Sequence, residues 1–261
     1  MSLVSGYEFN KLAKWCYCPR YQPNLVPSLI EENDIVFLNL DYFVEFISIL
    51  NNNPPKHKFI LITHNSDNPF TIEHFKYLIH FTNHIFAINN LVSHSNVTCI
   101  PTGFVDDKYK PHNKFQEILN KKYNKEILVY CNFSIEKNRA KRLECLNAYL
   151  NKKWVLKEKK ISPDEFYKKI YRSKYVLSPE GTGIDCHRIY ESIYFNSIPI
   201  VKKTNLEYFY INLPVLMIED WNELTEDFLE NNYETYFNLL IEWKTINSEW
   251  TTANFWIRSK N

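Results

Sequence analysis

Glycine is scarce in this chain: 4 of the 261 residues are glycine, against an ordinary share of about 7%. Two of the four, Gly181 and Gly183, stand one residue apart. A chain this poor in glycine is expected to use it where the backbone needs a positive φ or approaches another group closely. The surrounding segment, Ser178 to Val201, is therefore the first place to look for a site.

Long apolar runs are also missing. No stretch of about 18 apolar residues occurs, and the first 15 residues lack the apolar core of a signal peptide. We therefore expect no membrane span and a cytoplasmic location. The six cysteines show neither CxxC spacing nor a paired framework, which predicts buried thiols in a reducing compartment. Frequent Asn, Lys, Ile and Tyr indicate an AT-rich viral or bacterial genome; for a virus, the location would be the host cytoplasm.

Strong net charge and several phosphate-binding signatures are absent too. The net charge is +1 and the pI about 7.6, so no nucleic-acid partner is expected. There is no Walker A loop and no GxGxxG turn, which disfavours dehydrogenases and epimerases. There is also no D-x-D, a carboxylate pair that commonly holds a metal–diphosphate complex. We therefore predict no metal site and no cofactor.

The segment around the two glycines reads strand, turn, helix, strand. Lys174 to Ser178 is predicted as a buried strand, Cys186 to Phe195 as a helix with Asp185 as its N-cap, and Ile198 to Lys202 as the next strand. Asn196 is expected to end the helix in the left-handed conformation. This arrangement is half of a nucleotide-binding βαβ unit.

Three polar residues open the predicted helix. His187 and Arg188 can donate to a diphosphate at the helix N-terminus, where free N–H groups and the dipole favour anions. Glu191, one turn further along, is placed to accept hydrogen bonds from ribose hydroxyls. The alternative is an exposed Arg188–Glu191 pair worth a few tenths of a kcal/mol, and the pattern alone does not decide between the two.

The segment SPEGTGIDCHRIYESIYFNSIPIV resembles the donor-site motif of exostosin-like glycosyltransferases, roughly SPxGxGxDxHRxWEALxxGxxPIV. Tyr190 replaces the usual Trp, and Asn196 replaces the usual Gly. A second segment resembles the family's NFSxxTNxxxR through Asn138 and Arg142. The resemblance implies donor-binding roles for the following residues: Asn138, Arg142, Ser178, Glu180, Gly181, Gly183, Asp185, His187, Arg188 and Glu191. For Glu180, solvation of a loop is the alternative, and for Arg142, an exposed helix position.

Residues before the donor motif read as repeated strand and polar-turn units. Ile35 to Leu40 and Lys58 to Thr63 are apolar runs of strand length, and together with later runs they predict a parallel sheet. The stretches KFILITHNSD, FAINN and IPTGF resemble the N-terminal half of the same family. Residues 1–30 are predicted to be an irregular aromatic arm, either packed on the domain or lining an acceptor sugar.

The resemblance implies an α/β protein of the GT-B fold, with two Rossmann-like domains facing a cleft and a C-terminal helix crossing back to the first. We place an acceptor-side domain at 1–115, a nucleotide-sugar domain at 125–235 and a returning helical tail at 236–261. The implied reaction moves a sugar from a UDP- or GDP-linked donor to a hydroxyl of an oligosaccharide or glycoprotein. It is expected to invert the anomeric centre and to need no metal.

The general base of such a transfer is expected in the first domain. The cluster His64 to Asp67 follows a predicted buried strand, and ligands of parallel sheets bind beyond the carboxyl ends of strands. Asp67 is the candidate base, with His64 and Asp41 in reserve; the alternative is that the cluster caps the next helix. A non-catalytic nucleotide- or sugar-binding module of the same fold is the competing function.

Overall fold

The computed structural model describes residues 2–158 and 161–258. It divides into two compact α/β units. The N-terminal unit comprises Ser2–Asp106 and the segment from Glu249 onward, and the C-terminal unit comprises Asp107–Ser248. Within the described ranges, no helix has both the length and the apolar character needed to cross a bilayer.

The N-terminal unit is built on a parallel sheet whose strands follow one another in sequence order, β1-β2-β3-β4-β5. The strands are β1 Trp15–Tyr17, β2 Ile35–Asn39, β3 Phe59–His64, β4 Thr82–Ala87 and β5 Val97–Cys99. The helices of this unit are α1 Gly6–Asn10, α2 Phe43–Asn52, α3 Ile72–Leu78 and, near the C-terminus, α10 Ala253–Ile257. The inner strands are almost wholly buried, as expected of a sheet covered on both faces.

The predicted irregular arm contains an edge strand and a short helix. Trp15–Tyr17 pairs in parallel with Val36 to Leu38, and Trp15 Nε1 donates to Asp34 Oδ2 at 2.9 Å. Three residues at a sheet edge give too short an alternation to be read from sequence. The arm therefore packs on its own unit.

The C-terminal unit contains a second parallel sheet, in the order β10-β9-β8-β6-β7. Its strands are β6 Ile127–Cys131, β7 Val155–Lys157, β8 Ser173–Leu177, β9 Ile198–Lys202 and β10 Leu216–Ile218. Its helices are α4 Asn113–Leu119, α5 Arg139–Tyr149, α6 Pro163–Tyr171, α7 His187–Tyr194, α8 Glu207–Tyr210 and α9 Glu226–Ile246. The first strand of this sheet is an interior one, with β7 on one side and β8 on the other.

The observed boundaries differ from the predicted ones at both ends of the C-terminal unit. Residues 107–115, predicted to end the first domain, belong to the C-terminal unit. They lead into α4, whose buried Phe115 packs on Tyr167 with 4.4 Å between the ring centroids. At the other end α9 remains in the C-terminal unit because Leu229 and Leu240 are fully buried in its core. The chain joins the N-terminal unit only at Glu249, and residues 259–261 of the predicted tail lie outside the described residues.

Two parallel Rossmann-like α/β units, with the end of the chain in the first, are the parts of the GT-B fold predicted from the sequence. The prediction of two such units is confirmed. The prediction of buried thiols is confirmed as well: all six are free and buried.

Candidate functional site

Strand order marks one place in the C-terminal sheet where neighbouring loops diverge. The chain passes from β6 to β7 on one side, and then crosses to β8 on the opposite side of β6. Such a switch point opens a crevice beyond the carboxyl ends of the two strands, where ligands of parallel sheets bind. The loop after β6 carries Asn132 to Asn138, and the loop after β8 carries Ser178 to Cys186.

Arg142 joins these two loops. Its Nε donates to the carbonyl oxygen of Glu180 at 2.9 Å, and its Nη1 donates to the carbonyl oxygen of Ser134. Asn138 reinforces the junction, because its Nδ2 donates to the carbonyl oxygen of Gly181 at 2.8 Å while its Oδ1 caps α5. Arg142 is buried, so the alternative of an exposed helix arginine is wrong.

A second arginine lies on the same aromatic ring. The guanidinium carbons of Arg142 and Arg188 are each 5.7 Å from the ring centroid of Phe133. Burial, and then the charge of Arg188, lower the pKa of Arg142. In residues 2–158 and 161–258, neither guanidinium has a carboxylate partner, and the buried Nε of Arg188 has no hydrogen-bond partner. Two neighbouring cations with an unsatisfied donor form a site for an anion.

Glu191 is a buried anion one turn further along α7, with 3% of its surface exposed. Its Oε1 accepts a hydrogen bond from the Tyr167 hydroxyl at 3.0 Å and pairs with Lys110 Nζ at 3.4 Å. Burial raises the pKa of Glu191, but Lys110, His187, Arg188 and the Tyr167 hydroxyl outweigh it, so the pKa lies below its usual value. Within the described ranges, Oε2 accepts no hydrogen bond. It is the oxygen available to a ligand hydroxyl.

Asp185 does not cap α7 as predicted. The N-cap is Cys186, one residue later, and its side chain makes no capping bond. Asp185 accepts instead from the Tyr190 hydroxyl at 2.6 Å, the Tyr210 hydroxyl at 3.3 Å and the Cys186 N–H at 3.0 Å. The carboxylate is thus used to anchor the loop on buried tyrosines, and the phenol at position 190 supplies one of those anchors.

The two glycines of the motif do not take a positive φ. That conformation occurs at Gly103, with φ 63°, and at Asn196, with φ 55°, where it was predicted. Gly181 is required for close approach instead, since a Cβ there would lie 3.1 Å from Arg142 Nη2. The glycine therefore leaves room for the guanidinium.

Two other predicted donor-binding residues belong to the loop itself. The Ser178 hydroxyl is buried and donates to the carbonyl oxygen of Val176 at 3.2 Å. The Glu180 carboxylate pairs with Lys141 Nζ at 3.3 Å. Both residues hold the loop after β8 in place, and His187 stands at the first position of α7.

In the N-terminal unit, a polar cluster follows β2 and β3. Asp41 Oδ1 accepts from the Ser66 hydroxyl at 2.6 Å and from Asn68 Nδ2 at 3.0 Å. The cluster does not cap α3, because Thr71 is the N-cap and forms a capping box with His74. The capping alternative is therefore wrong.

His64 is sequestered, whereas Asp67 is open. His64 is 2% exposed; its Nδ1 accepts from the Asn65 N–H at 2.8 Å, which leaves Nε2–H to donate to the carbonyl oxygen of Pro101 at 3.2 Å. A ring held on both sides in the interior is poorly suited to take a proton from a substrate, so His64 is a weak candidate base. Asp67 is exposed, and in the described part of the chain its carboxylate has no hydrogen bond or ion pair.

Three residues of the site carried no signal in the sequence. Phe133, Lys110 and Tyr167 reach the two arginines or Glu191 from two loops and one helix far apart in the chain. The resemblance at NFS included Phe133 but did not predict that its ring lies beside two arginines. Over residues 2–158 and 161–258, no group of three His, Cys, Asp or Glu side chains is arranged to hold a metal ion.

Two solved structures are distantly similar to this chain. One is Alr3699/HepE from Anabaena in complex with UDP-glucose, with 9% identity, coverage of 84% of this chain and 74% of that chain, and a TM-score of 0.46. Another is a UDP-forming α,α-trehalose-phosphate synthase from Burkholderia vietnamiensis, with 9% identity, coverage of 85% and 75%, and a TM-score of 0.42. TM-scores this low carry no conclusion about activity.

Sequence comparison is more informative. No curated protein matches the chain significantly. Residues 124–252, just under half of the chain, match the family model described as the RXYLT1 C-terminal domain. The match spans both segments that resemble the exostosin-like motifs, around Arg142 and Arg188, and confirms that resemblance. Over residues 124–252 this chain is therefore similar to the RXYLT1 C-terminal domain family, an exostosin-like family.

Proposed function

We propose that this chain is a glycosyltransferase, transferring a hexose or pentose from a UDP- or GDP-linked donor to a hydroxyl of a glycan acceptor. One observation carries the proposal. Arg142 and Arg188 lie on one phenylalanine ring at the switch point of the C-terminal sheet, without a carboxylate partner in the described residues. A diphosphate supplies the two negative charges that this pair lacks.

The same geometry suits the leaving group of the reaction. When the bond between the anomeric carbon and the diphosphate oxygen breaks, negative charge grows on the diphosphate. Fixed guanidinium groups and the N-terminus of α7 stabilise that charge without reorganising. Arg142 is held by two backbone carbonyl groups, so it is already oriented before the donor binds.

Glu191 is proposed to bind the ribose. Its ionised carboxylate presents Oε2, while Oε1 is occupied by Tyr167 and Lys110. A carboxylate oxygen accepts hydrogen bonds from sugar hydroxyls and repels a phosphate placed too deep. This charge therefore fixes the register of the nucleotide along α7.

The transfer is proposed to invert the anomeric centre in one displacement. A base removes the proton of the acceptor hydroxyl as its oxygen attacks the anomeric carbon and the diphosphate leaves. Asp67 is the proposed base because its carboxylate is exposed and unengaged in the described residues. Asp41, in contrast, already accepts two hydrogen bonds on Oδ1.

Divalent metal is proposed to be dispensable, because Arg142, Arg188 and the α7 N-terminus supply positive charge to the diphosphate. The test is thermal shift and donor hydrolysis with a panel of UDP- and GDP-linked hexoses and pentoses, each with and without EDTA. We expect one nucleotide class to stabilise the protein and its sugar to be released slowly in EDTA.

Three results would contradict this proposal, in part or as a whole. Loss of turnover in EDTA, restored by Mg²⁺ or Mn²⁺, would overturn metal independence alone. Stabilisation by a nucleotide without hydrolysis or transfer for any donor would favour a non-catalytic nucleotide-binding module. No stabilisation by any nucleotide, in a protein shown to be folded, would remove the basis of the whole proposal.

A further inference from the structure

A pocket lies next to the residues that contact Glu191, because Lys110 and Tyr167 are part of its lining. Its volume is about 260 Å³. It is lined by Tyr109, Lys110, Pro111, Lys114, Ser162, Pro163, Asp164 and Tyr167. The volume is below the roughly 300 Å³ at which pockets for whole drug-sized ligands begin, so the pocket is suited to one part of a larger ligand.

Two of the lining residues connect the pocket to the proposed nucleotide site. Lys110 and Tyr167 both contact Oε1 of Glu191, at 3.4 Å and 3.0 Å. Phe166 continues the row, since the Arg188 guanidinium and the Lys110 ammonium each lie 5.9 Å from its ring centroid. The order is therefore the arginine pair, then Glu191, then the pocket.

The chemistry of the pocket matches a flat heteroaromatic ring. Tyr109 is 60% exposed and offers an aromatic face, with Lys108 Nζ 4.9 Å from its centroid. Lys114 and Asp164 form a half-exposed ion pair at 3.4 Å, which sets a donor beside an acceptor. A nucleobase presents the complementary features: a π face, and an edge with neighbouring acceptors and donors.

We propose that this pocket binds the nucleobase of the donor, with Tyr109 stacking on the ring and the Lys114–Asp164 pair bonding to its edge. The inference rests on the proposed function, since it takes the diphosphate to lie at the arginine pair and the ribose at Glu191. It assigns a binding role to residues 109–114, which the sequence analysis placed at the end of the first domain.

The test measures, by calorimetry on the full chain, the Kd values of UDP, GDP and inorganic pyrophosphate. The pocket variants are Tyr109→Ala and Lys114→Ala. The matched controls are Tyr77→Ala, which removes a 56% exposed tyrosine from the N-terminal unit, and Lys121→Ala, which removes an exposed lysine outside the pocket. Thermal melting verifies that every variant is folded.

We expect Tyr109→Ala to weaken the nucleotide that binds wild-type protein by about tenfold, the scale of one stacking contact. Lys114→Ala is expected to weaken it by a smaller factor. Neither variant should change the Kd of pyrophosphate, which has no base, and neither control should change any Kd.

Unchanged nucleotide binding in both pocket variants would overturn the base assignment while leaving the proposed function intact. Equal weakening of nucleotide and pyrophosphate in the pocket variants would overturn it too, because the effect would then not depend on the base. Failure of wild-type protein to bind either nucleotide would instead contradict the proposed function.

Discussion

The two sheets of this chain differ in one topological respect. In the N-terminal unit the spatial order of the strands is their sequence order, so successive connections advance in one direction. In the C-terminal unit β6 is flanked by β7 and β8, and the connections leave it in opposite directions. Only the second arrangement creates a switch point, where loops separate and a ligand can approach the strand ends.

The side chains at the strand ends also differ between the two units. At the switch point Arg142 and Arg188 are cationic groups without carboxylate partners in the described residues. At the corresponding edge of the N-terminal sheet His64 is buried and bonded to Pro101, and Asp41 is bonded to Ser66 and Asn68. The unpaired cations at strand ends thus lie in the C-terminal unit, whereas the N-terminal unit presents an exposed carboxylate, that of Asp67.

The largest expected effect is on transfer rather than on donor binding, and it follows from a substitution in the N-terminal unit. Asp67→Asn should leave nucleotide Kd unchanged and reduce transfer by about 10²- to 10⁴-fold, the usual contribution of a general base. Asp41→Asn is the matched comparison and should have a smaller effect, because its carboxylate is already engaged. Transfer by Asp67→Asn within tenfold of wild type, at saturating donor, would show that the base lies elsewhere.

Removal of a switch-point cation comes next in size. Arg188→Ala should lower kcat/KM by about 10²- to 10³-fold, as does loss of one preorganised donor to a developing anion. Arg139→Ala is the control, since that side chain is 70% exposed and pairs with Glu136 on the surface. Similar losses in the two variants would mean that general positive charge matters, rather than the group beside Phe133.

Alanine substitution of one glycine in each unit should affect different properties of the protein. Gly103→Ala should destabilise the N-terminal unit by about 1–3 kcal/mol, since φ there is 63° and the new Cβ would lie 2.4 Å from the Val4 carbonyl oxygen. Gly181→Ala should change the melting temperature little, because its Cβ meets the end of the Arg142 side chain at 3.1 Å. It should weaken pyrophosphate binding instead.

The measurement is urea unfolding and pyrophosphate calorimetry on both variants. The expected difference between the two glycines would be contradicted if Gly181→Ala lowered stability as much as Gly103→Ala and left pyrophosphate binding unchanged. That result would make the close approach at Gly181 a packing feature alone.

These two glycines also show what the sequence could and could not predict. Ile198–Lys202 was predicted with its observed bounds, and Ile35–Asn39 within one residue, since continuous apolar runs between turn residues are strong local signals. The positive φ of Asn196 was predicted from its place after a helix. The reason for Gly181 was not, because it depends on Arg142, 39 positions away in the chain.

The candidate site was predictable to the same degree. His187, Arg188 and Glu191 lie on one helix that the sequence predicts, so their proximity followed from helical spacing. Lys110, Phe133 and Tyr167 come from other elements, and only the order of the strands brings them there. The cap of α7 moved from Asp185 to Cys186 because two tyrosine hydroxyls bind the Asp185 carboxylate, a tertiary contact that local propensity does not contain.

The smallest predicted effect concerns the C-terminal end of α7. Lys244 Nζ donates to the carbonyl oxygens of Ile193 and Tyr194 and to Asn196 Oδ1, and Lys125 Nζ donates to Phe195 O at 3.1 Å. Burial lowers the pKa of Lys244 to about 8, and burial followed by the charge of Lys244 lowers the pKa of Lys125.

A lowered folded-state pKa means that the unfolded chain holds the Lys244 proton up to about pH 10.5 while the folded chain releases it near pH 8. Between these values the unfolded state binds more protons, so this group makes the free energy of unfolding rise with pH, by at most about 1.4 kcal/mol per pH unit. Lys244→Met should flatten that rise in urea titrations between pH 8 and 10.5. The exposed Lys121→Met should not, and equal slopes in wild type and Lys244→Met would show that the lysine stays protonated at the end of α7.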